Sequence, residues 1–210
     1  IGIILAGWSS NNKWSLYGAM RAAAQIISYE IPIGLSLLLV VLVVGSLHLG
    51  DIVQWQADHR WFIFHSPFTF IAFFIYYIST VAETNRTPFD IPEAESELVA
   101  GWMTEYSGFR WSLFFLSEYA NMLIASIIAS IVFLGGWLSP LQVFDIFPES
   151  WLILDGPYMG LFWILLKAIL LIFIMMWFRW TFPRLRVDQL MYVCWKVFIP
   201  FALVNLFLVS

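Results

Sequence analysis

Long apolar runs, interrupted by short polar connections, set the pattern of this chain. A helix that crosses the hydrocarbon core of a bilayer needs roughly 20 mostly apolar residues. That criterion selects about Trp14–Leu49, Trp61–Thr84, Trp111–Leu138, Tyr158–Phe182 and Asp188–Val209. Ile1 to Trp8 reads as the end of a further span already under way, so the chain reads as a fragment of a longer protein that forms one membrane domain over 1–210. The first window is too long for a perpendicular helix and must tilt, kink or project. Pro32 within it has no N–H for the carbonyl four residues back, which favours a kink there. Strands are poorly supported because no alternation of two persists. The expected fold class is an all-α polytopic transmembrane bundle of about five full spans, an N-terminal partial span and a short helix in a cytoplasmic-side acidic loop.

Composition agrees with the pattern. Of 210 residues, 61% are hydrophobic and only 11% charged, so a soluble domain of this make-up would expose more apolar surface than water tolerates. The net charge of -4 is not a solubilising coat, since the acids concentrate between Glu83 and Glu118. The absence of a basic stripe argues against a nucleic-acid partner. The single cysteine, Cys194, cannot by itself build a disulfide, a zinc site or an iron–sulfur cluster. Lys13, Arg21, Arg86, Arg110, Arg179, Arg184 and Arg186 fall in or beside alternate connections, while the opposite connections hold Arg60 alone. By the positive-inside rule, the loops containing SSNNK, TNRTPFDIPEAESE and WTFPRLRVDQ face the cytoplasm or its mitochondrial equivalent. Trp8, Trp14, Trp61, Trp111 and Trp180 sit near the expected span ends, as interfacial aromatic belts do.

The segment AETNRTPFDIPEAESE gathers Glu83, Asp90, Glu93, Glu95 and Glu97, with Glu105 just beyond. Asp90-Ile91-Pro92-Glu93 has the form of a helix start, with a capping aspartate, proline in the first turn and a glutamate able to reach back. A short helix from about Pro92 to Met103 is expected, on which Asp90, Glu93 and Glu97 share a face. A solvated acidic loop would be the ordinary reading of such a run. Two features argue for more: Glu83 ends a strongly apolar span, and Glu118 lies about two turns inside the next. A charged acid at mid-bilayer costs roughly 2.5 kcal/mol or more, so such groups usually face a protein or aqueous interior. Glu30, in MRAAAQIISYEIP, points nearly opposite to Arg21, Gln25 and Ser28 and has no basic neighbour on its own helix. Because desolvation and nearby like charge both favour the protonated acid, Glu30, Glu83 and Glu118, with the Asp90/Glu93/Glu97/Glu105 group, read as a chain of exchangeable protons.

Other signals are weaker. Lys167 lies about ten residues into its span, where a carboxylate or polar cavity is the expected partner, and Lys196 can snorkel or pair. His48, His59 and His65 lack regular ligand spacing and read as interfacial, so no metal site is proposed. Gly135-Gly136 permits close helix approach or ends a span.

The run AETNRTPFDIPEAESELVAG, together with GWSSNNKWSLYGAMRAAAQIISYE upstream, SEYANM in the following span and FPRLRVDQLM near the end, resembles a family of core membrane subunits of proton-pumping NADH:quinone oxidoreductase, respiratory complex I. The mitochondrial counterpart in that family is the first of the organelle-encoded core membrane subunits. The likeness covers the chain in order. It implies an eight-helix membrane protein at the joint between the electron-transfer arm and the membrane arm, in a bacterial inner membrane or the mitochondrial equivalent. Such a protein helps form the quinone chamber and a glutamate-rich entry to the proton path. It binds no flavin, iron–sulfur cluster or NADH itself; quinone is substrate, the redox cofactors sit in partner subunits, and lipid surrounds it. By motif, the proton-path residues are Glu30, Glu83, Glu118, Glu93, Glu95, Glu97 and Glu105, while Arg86, Asp90 and Arg21 hold the quinone-site loop and its structural charge. The family's first two helices and the segment between them have no counterpart in this sequence. The equivalent subunit of a membrane-bound hydrogenase is an alternative within the superfamily. An independent transporter is another, although Pro32 has no matching helix break in a second half.

Overall fold

A computed structural model of the chain describes residues 1–90, 101–140 and 157–209. Those residues are helices and connections, with no strand among them. A short α1 (Gly2–Ser9) turns at Ser10–Asn12 into α2 (Lys13–Val44), whose first turn is capped by the Asn12 side chain accepting from Trp14 N at 3.1 Å. Gly45, at φ 77°, ends α2 with the left-handed residue common after helices. The helix is unbroken through Pro32, and its 32 residues extend to roughly 48 Å at 1.5 Å per residue. The carbonyl that Pro32 leaves without an N–H, that of Ser28, accepts instead from the Cys194 thiol at 3.0 Å.

Two short helices, α3 (Leu49–Asp58) and α4 (Phe62–His65), lead to α5 (Pro67–Glu83). The span expected to begin at Trp61 is divided here, because Ser66 and Thr69 form a reciprocal capping box and Pro67 opens the helix. With 17 residues α5 reaches roughly 26 Å, just short of a typical hydrocarbon core. After a 3₁₀ turn (Gly101–Met103) come α6 (Gly108–Phe133) and α7 (Pro157–Thr181). The last span is a continuous helix over Val187–Val209: α8 (Val187–Val193), a π turn (Cys194–Phe198) and α9 (Ile199–Val209). Pro200 accounts for the widening, since it offers no N–H to the Lys196 carbonyl and its ring crowds that oxygen.

Helices α2, α6, α7 and the Val187–Val209 helix are long and apolar enough to cross a membrane, and α5 is a shorter apolar helix. The chain is a polytopic helical bundle. Its main core is centred on α2 against α5, where Tyr29, Leu39, Val40, Phe73, Tyr76 and Phe133 are buried, and it extends to Met175 and Leu190. Helix α7 leaves Leu161, Phe162, Ile169, Phe173 and Trp177 exposed, an apolar face suited to lipid or a neighbouring subunit. The crossing of α2 and the Val187–Val209 helix is tied both ways: Cys194 donates to Ser28 O, and the Tyr29 hydroxyl donates to Leu190 O at 3.0 Å.

Candidate functional site

The end of α5 and the loop after it form a junction that draws side chains from four elements. Gln25, buried on α2, donates through Nε2 to two carbonyls at once, Ala82 O at 2.7 Å and Phe89 O at 2.8 Å. One amide thereby joins the last turn of α5 to residue 89 of the loop. The Thr87–Pro88 peptide is cis, and Pro88 O accepts from Leu185 N at 3.0 Å, which ties the loop to the connection between α7 and α8. Phe89 is buried against the Tyr29 ring at 5.9 Å. The loop is thus held by backbone bonds and packing as well as by charge.

The charged groups divide the work. Asp90 pairs with Arg184, Oδ2 to Nη2 at 3.2 Å, and Arg179 and Arg86 lie within its electrostatic reach. Burial still holds the Asp90 carboxyl above the usual carboxylate range, outweighing the three arginines that pull it down. Its Oδ1 is buried without a hydrogen-bond partner among the described residues. Arg86 turns the other way. It is 8% exposed, donates from Nε to the Met122 sulfur at 3.2 Å and stacks over the Tyr119 ring at 4.4 Å, with Phe115 at 6.0 Å. One Nη nitrogen of Arg86 has no hydrogen-bond partner among the described residues, and a small cavity lined by Arg86, Tyr119, Met122, Met175, Met176 and Arg179 adjoins it.

The carboxylates expected to carry protons are spread along this junction. Glu83, half-buried, closes α5, and Glu30 on α2 lies within its electrostatic reach. Glu30 points away from Gln25 and Ser28 as expected, the amide and the hydroxyl being buried and the glutamate at the surface of this chain. Glu118 is half-buried on α6, one residue before the Tyr119 ring that carries Arg86. Glu105 is exposed and accepts from Asn12 Nδ2 at 3.0 Å, beside an open cleft lined by Ser9, Ser10, Tyr106, Ser107, Phe109 and Arg110. Arg21 stacks on Tyr17 at 4.5 Å and donates to its hydroxyl at 3.3 Å. Glu93, Glu95 and Glu97, with most of the helix expected from Pro92 to Met103, lie outside the described residues; the stretch that is described, Gly101–Met103, is a 3₁₀ turn.

Among the described residues the partners of Lys167 are backbone carbonyls rather than the carboxylate or polar cavity expected. Its ammonium donates to the carbonyls of Leu134, Gly136 and Leu138 at 2.7, 2.9 and 2.7 Å, under the Trp61 ring at 4.2 Å. These oxygens follow the C-terminus of α6, where a cation complements the helix dipole. Gly135 and Gly136 end α6 at φ 74° and 51°, and a Cβ at Gly135 would overlap the Trp61 indole. Trp61 is consequently buried as the lid of this cage. Lys196 lies over the Tyr192 ring at 4.5 Å. His59 stacks on Trp55 at 4.3 Å and His65 meets its edge, while His48 sits 3.4 Å from Asp51. The described residues hold no grouping of three or more His, Cys, Asp or Glu side chains able to bind a metal.

Gln25, Met122 and Arg184 are the junction residues whose roles the sequence pattern did not disclose. Gln25 had one visible signal, an amide isolated on an apolar helix. The Asp90–Arg184 pair had none, since the partners stand on different loops far apart in the chain.

Fold and junction together define a class: an all-α integral membrane protein whose acids and arginines converge where several helices end. The chain belongs to the NADH dehydrogenase family, whose model matches residues 1–210. It is 53% identical over 214 residues to the H subunit of the NADH-quinone oxidoreductase of Chlorobaculum tepidum, covering 100% of this chain and 59% of that protein. The same-named protein of a Geobacillus species is 53% identical over 210 residues, covering 100% of this chain and 58% of the relative. That of Bacteroides thetaiotaomicron is 48% identical over 212 residues, with 100% and 58% covered. The chain therefore spans somewhat under three-fifths of the length of these relatives.

Proposed function

We propose that this chain is part of the membrane subunit of a proton-translocating NADH:quinone oxidoreductase, in a bacterial inner membrane, where it couples quinone reduction to proton movement. Its junction forms part of the wall of the quinone chamber, and flavin and iron–sulfur clusters reside in hydrophilic partner subunits. The observation that carries the reading is the Glu30–Glu83 pair: two acids from different helices within electrostatic reach, next to a loop clamped by Gln25, Arg86 and Asp90.

In this reading quinone reduction beside the loop changes the local charge, and the arginines transmit that change. Arg86 lies in a water-poor setting against Tyr119 and Met122, where electrostatic interactions are stronger than in water. A shift in its position alters the field at neighbouring Glu118 and Asp90. Glu83 and Glu30 then exchange protons, and Glu30, on the surface of this chain, hands its proton to an adjoining membrane subunit. Glu93, Glu95, Glu97 and Glu105 supply the acidic entry on the cytoplasmic side, and Arg21 supplies structural charge on α2.

The test uses the assembled complex in sealed membrane vesicles. A variant carrying Glu30→Gln, Glu83→Gln and Glu118→Gln should lose proton translocation driven by NADH. Retention of both full quinone reduction and full translocation would refute the acid path.

A further inference from the structure

Several Ser and Thr hydroxyls of the bundle have a carbonyl acceptor, Ser15 that of Trp102 and Thr69 that of Phe62. Ser36, Thr84, Ser130 and Thr181 donate to carbonyls three or four residues earlier, the usual way a helical Ser or Thr is satisfied. Ser79, Thr80 and Ser126 do not. Each is at most 1% exposed, and its oxygen has no hydrogen-bond partner among the described residues. A buried hydroxyl without a protein partner calls for water.

Their placement gives the contrast meaning. On α5, Tyr76, Ser79, Thr80 and Glu83 recur at i, i+3, i+4 and i+7 and so share one face. The Tyr76 hydroxyl donates across to α6, to Ala125 O at 3.1 Å, next to Ser126 in the chain. Tyr76 also lies beside Thr80 and within electrostatic reach of Glu83. A polar line therefore runs from Glu83 inward along α5. Its hydroxyl members are 2% exposed or less, so this chain's own helices enclose them.

We propose that Tyr76, Ser79 and Thr80, with Ser126 beside them on α6, line an internal water site that continues the Glu30–Glu83 acid path into the α5–α6 interface. The proposal rests on Glu83 being a proton carrier. The Glu83 carboxyl gives its proton to a hydrogen-bonded water, leaving a carboxylate and a hydronium. In concert, the Thr80 oxygen accepts a proton from that hydronium and releases its own to a second water. Only O–H bonds break and form, and the hydroxyl ends as it began. Tyr76 positions the water, its own proton being engaged by the Ala125 carbonyl.

Radiolytic footprinting of the assembled wild-type complex in ¹⁸O-labelled water reads bound water directly. Tyr76 should take up label despite its burial, whereas Tyr29, equally enclosed and likewise donating to a carbonyl but at Leu190 rather than beside Ser126, should not. An unlabelled Tyr76 would overturn the water site, whether or not any variant assembles. In the functional arm, Ser79→Ala combined with Thr80→Val should lower the protons moved per electron pair at least twofold, and Thr80→Ser should retain the wild-type ratio. An unchanged ratio in the double variant, with translocation lost in Glu83→Gln, refutes the water site and leaves the acid path standing. Full translocation in Glu83→Gln removes the acid path and this proposal with it.

Discussion

Arg86 and Lys167 are both cations buried among apolar helices, and they are held in opposite ways. Lys167 has three carbonyl acceptors at 2.7 to 2.9 Å and a tryptophan ring above it, so its donors are fully used. Arg86 has a thioether, two aromatic faces and one nitrogen with no hydrogen-bond partner among the described residues. An ammonium satisfied in this way gives up three hydrogen bonds if it moves. A guanidinium held by soft, weakly directional contacts beside a small cavity can move when its field changes. Depth in the membrane alone does not separate these two cations; the completeness of their partners does, and the role proposed for Arg86 rests on that difference.

That contrast can be broken at either end, and the largest effect is expected at the cage. Lys167→Met leaves three carbonyls near the end of α6 without their donor, and at roughly 1–3 kcal/mol for each buried unsatisfied group the protein should unfold early or fail to assemble. Thermal unfolding of the purified complex measures this; a wild-type melting temperature would show that the cage is dispensable. At the other end, Arg86→Ala should assemble and yet lose quinone reduction. A desolvated cation–π contact is worth about 2 kcal/mol, so a fall of roughly 30-fold is expected, with Arg86→Lys intermediate because it keeps the charge and loses the planar stack. Steady-state quinone reductase assays of intact complex decide it, and normal kinetics in Arg86→Ala would remove its coupling role.

Smaller effects test how the junction is held. Gln25→Leu removes the donor shared by Ala82 O and Phe89 O, which should cost about 1–3 kcal/mol locally and speed amide hydrogen exchange over residues 84–90. Unaltered exchange there would mean that Pro88, Phe89 and Asp90 hold the loop without it. The smallest effect concerns pH. The proton affinity of Asp90 in the folded protein lies above its ordinary value, so the folded state binds this proton more tightly than the unfolded chain. Its contribution to stability is fully present below the ordinary carboxylate range and declines as pH rises through the raised folded value. Asp90→Asn should flatten that part of the stability curve, measured as melting temperature against pH, and a curve that keeps its slope would contradict the assignment.

The ease with which spans could be read from sequence has a physical cause. A bilayer imposes a length and an apolarity that few other environments demand, so α6, α7 and the Val187–Val209 helix are visible as unbroken runs. Helix α5 was harder, because Phe62–His65 is as apolar as the span that follows, and only the Ser66-Pro67 start separates them. The proline at position 32 does not interrupt α2: the carbonyl it orphans finds a thiol on another helix, a compensation that no local rule contains. What could be read of the junction was the placement of charge, as with Glu83 at the end of α5, Glu30 within its electrostatic reach and Arg86 in the loop that follows. The structure was not legible where it depends on pairing across the fold, as with Asp90 and Arg184, or with Lys167 and the carbonyls after α6.

On the proposed mechanism Glu83 changes protonation when quinone is reduced. The infrared difference spectrum of the assembled complex between its oxidised and reduced states measures it most directly. A protonated-carboxyl carbonyl band is expected in the wild type and should disappear in Glu83→Gln; a band that persists unchanged in that variant would contradict this role of Glu83.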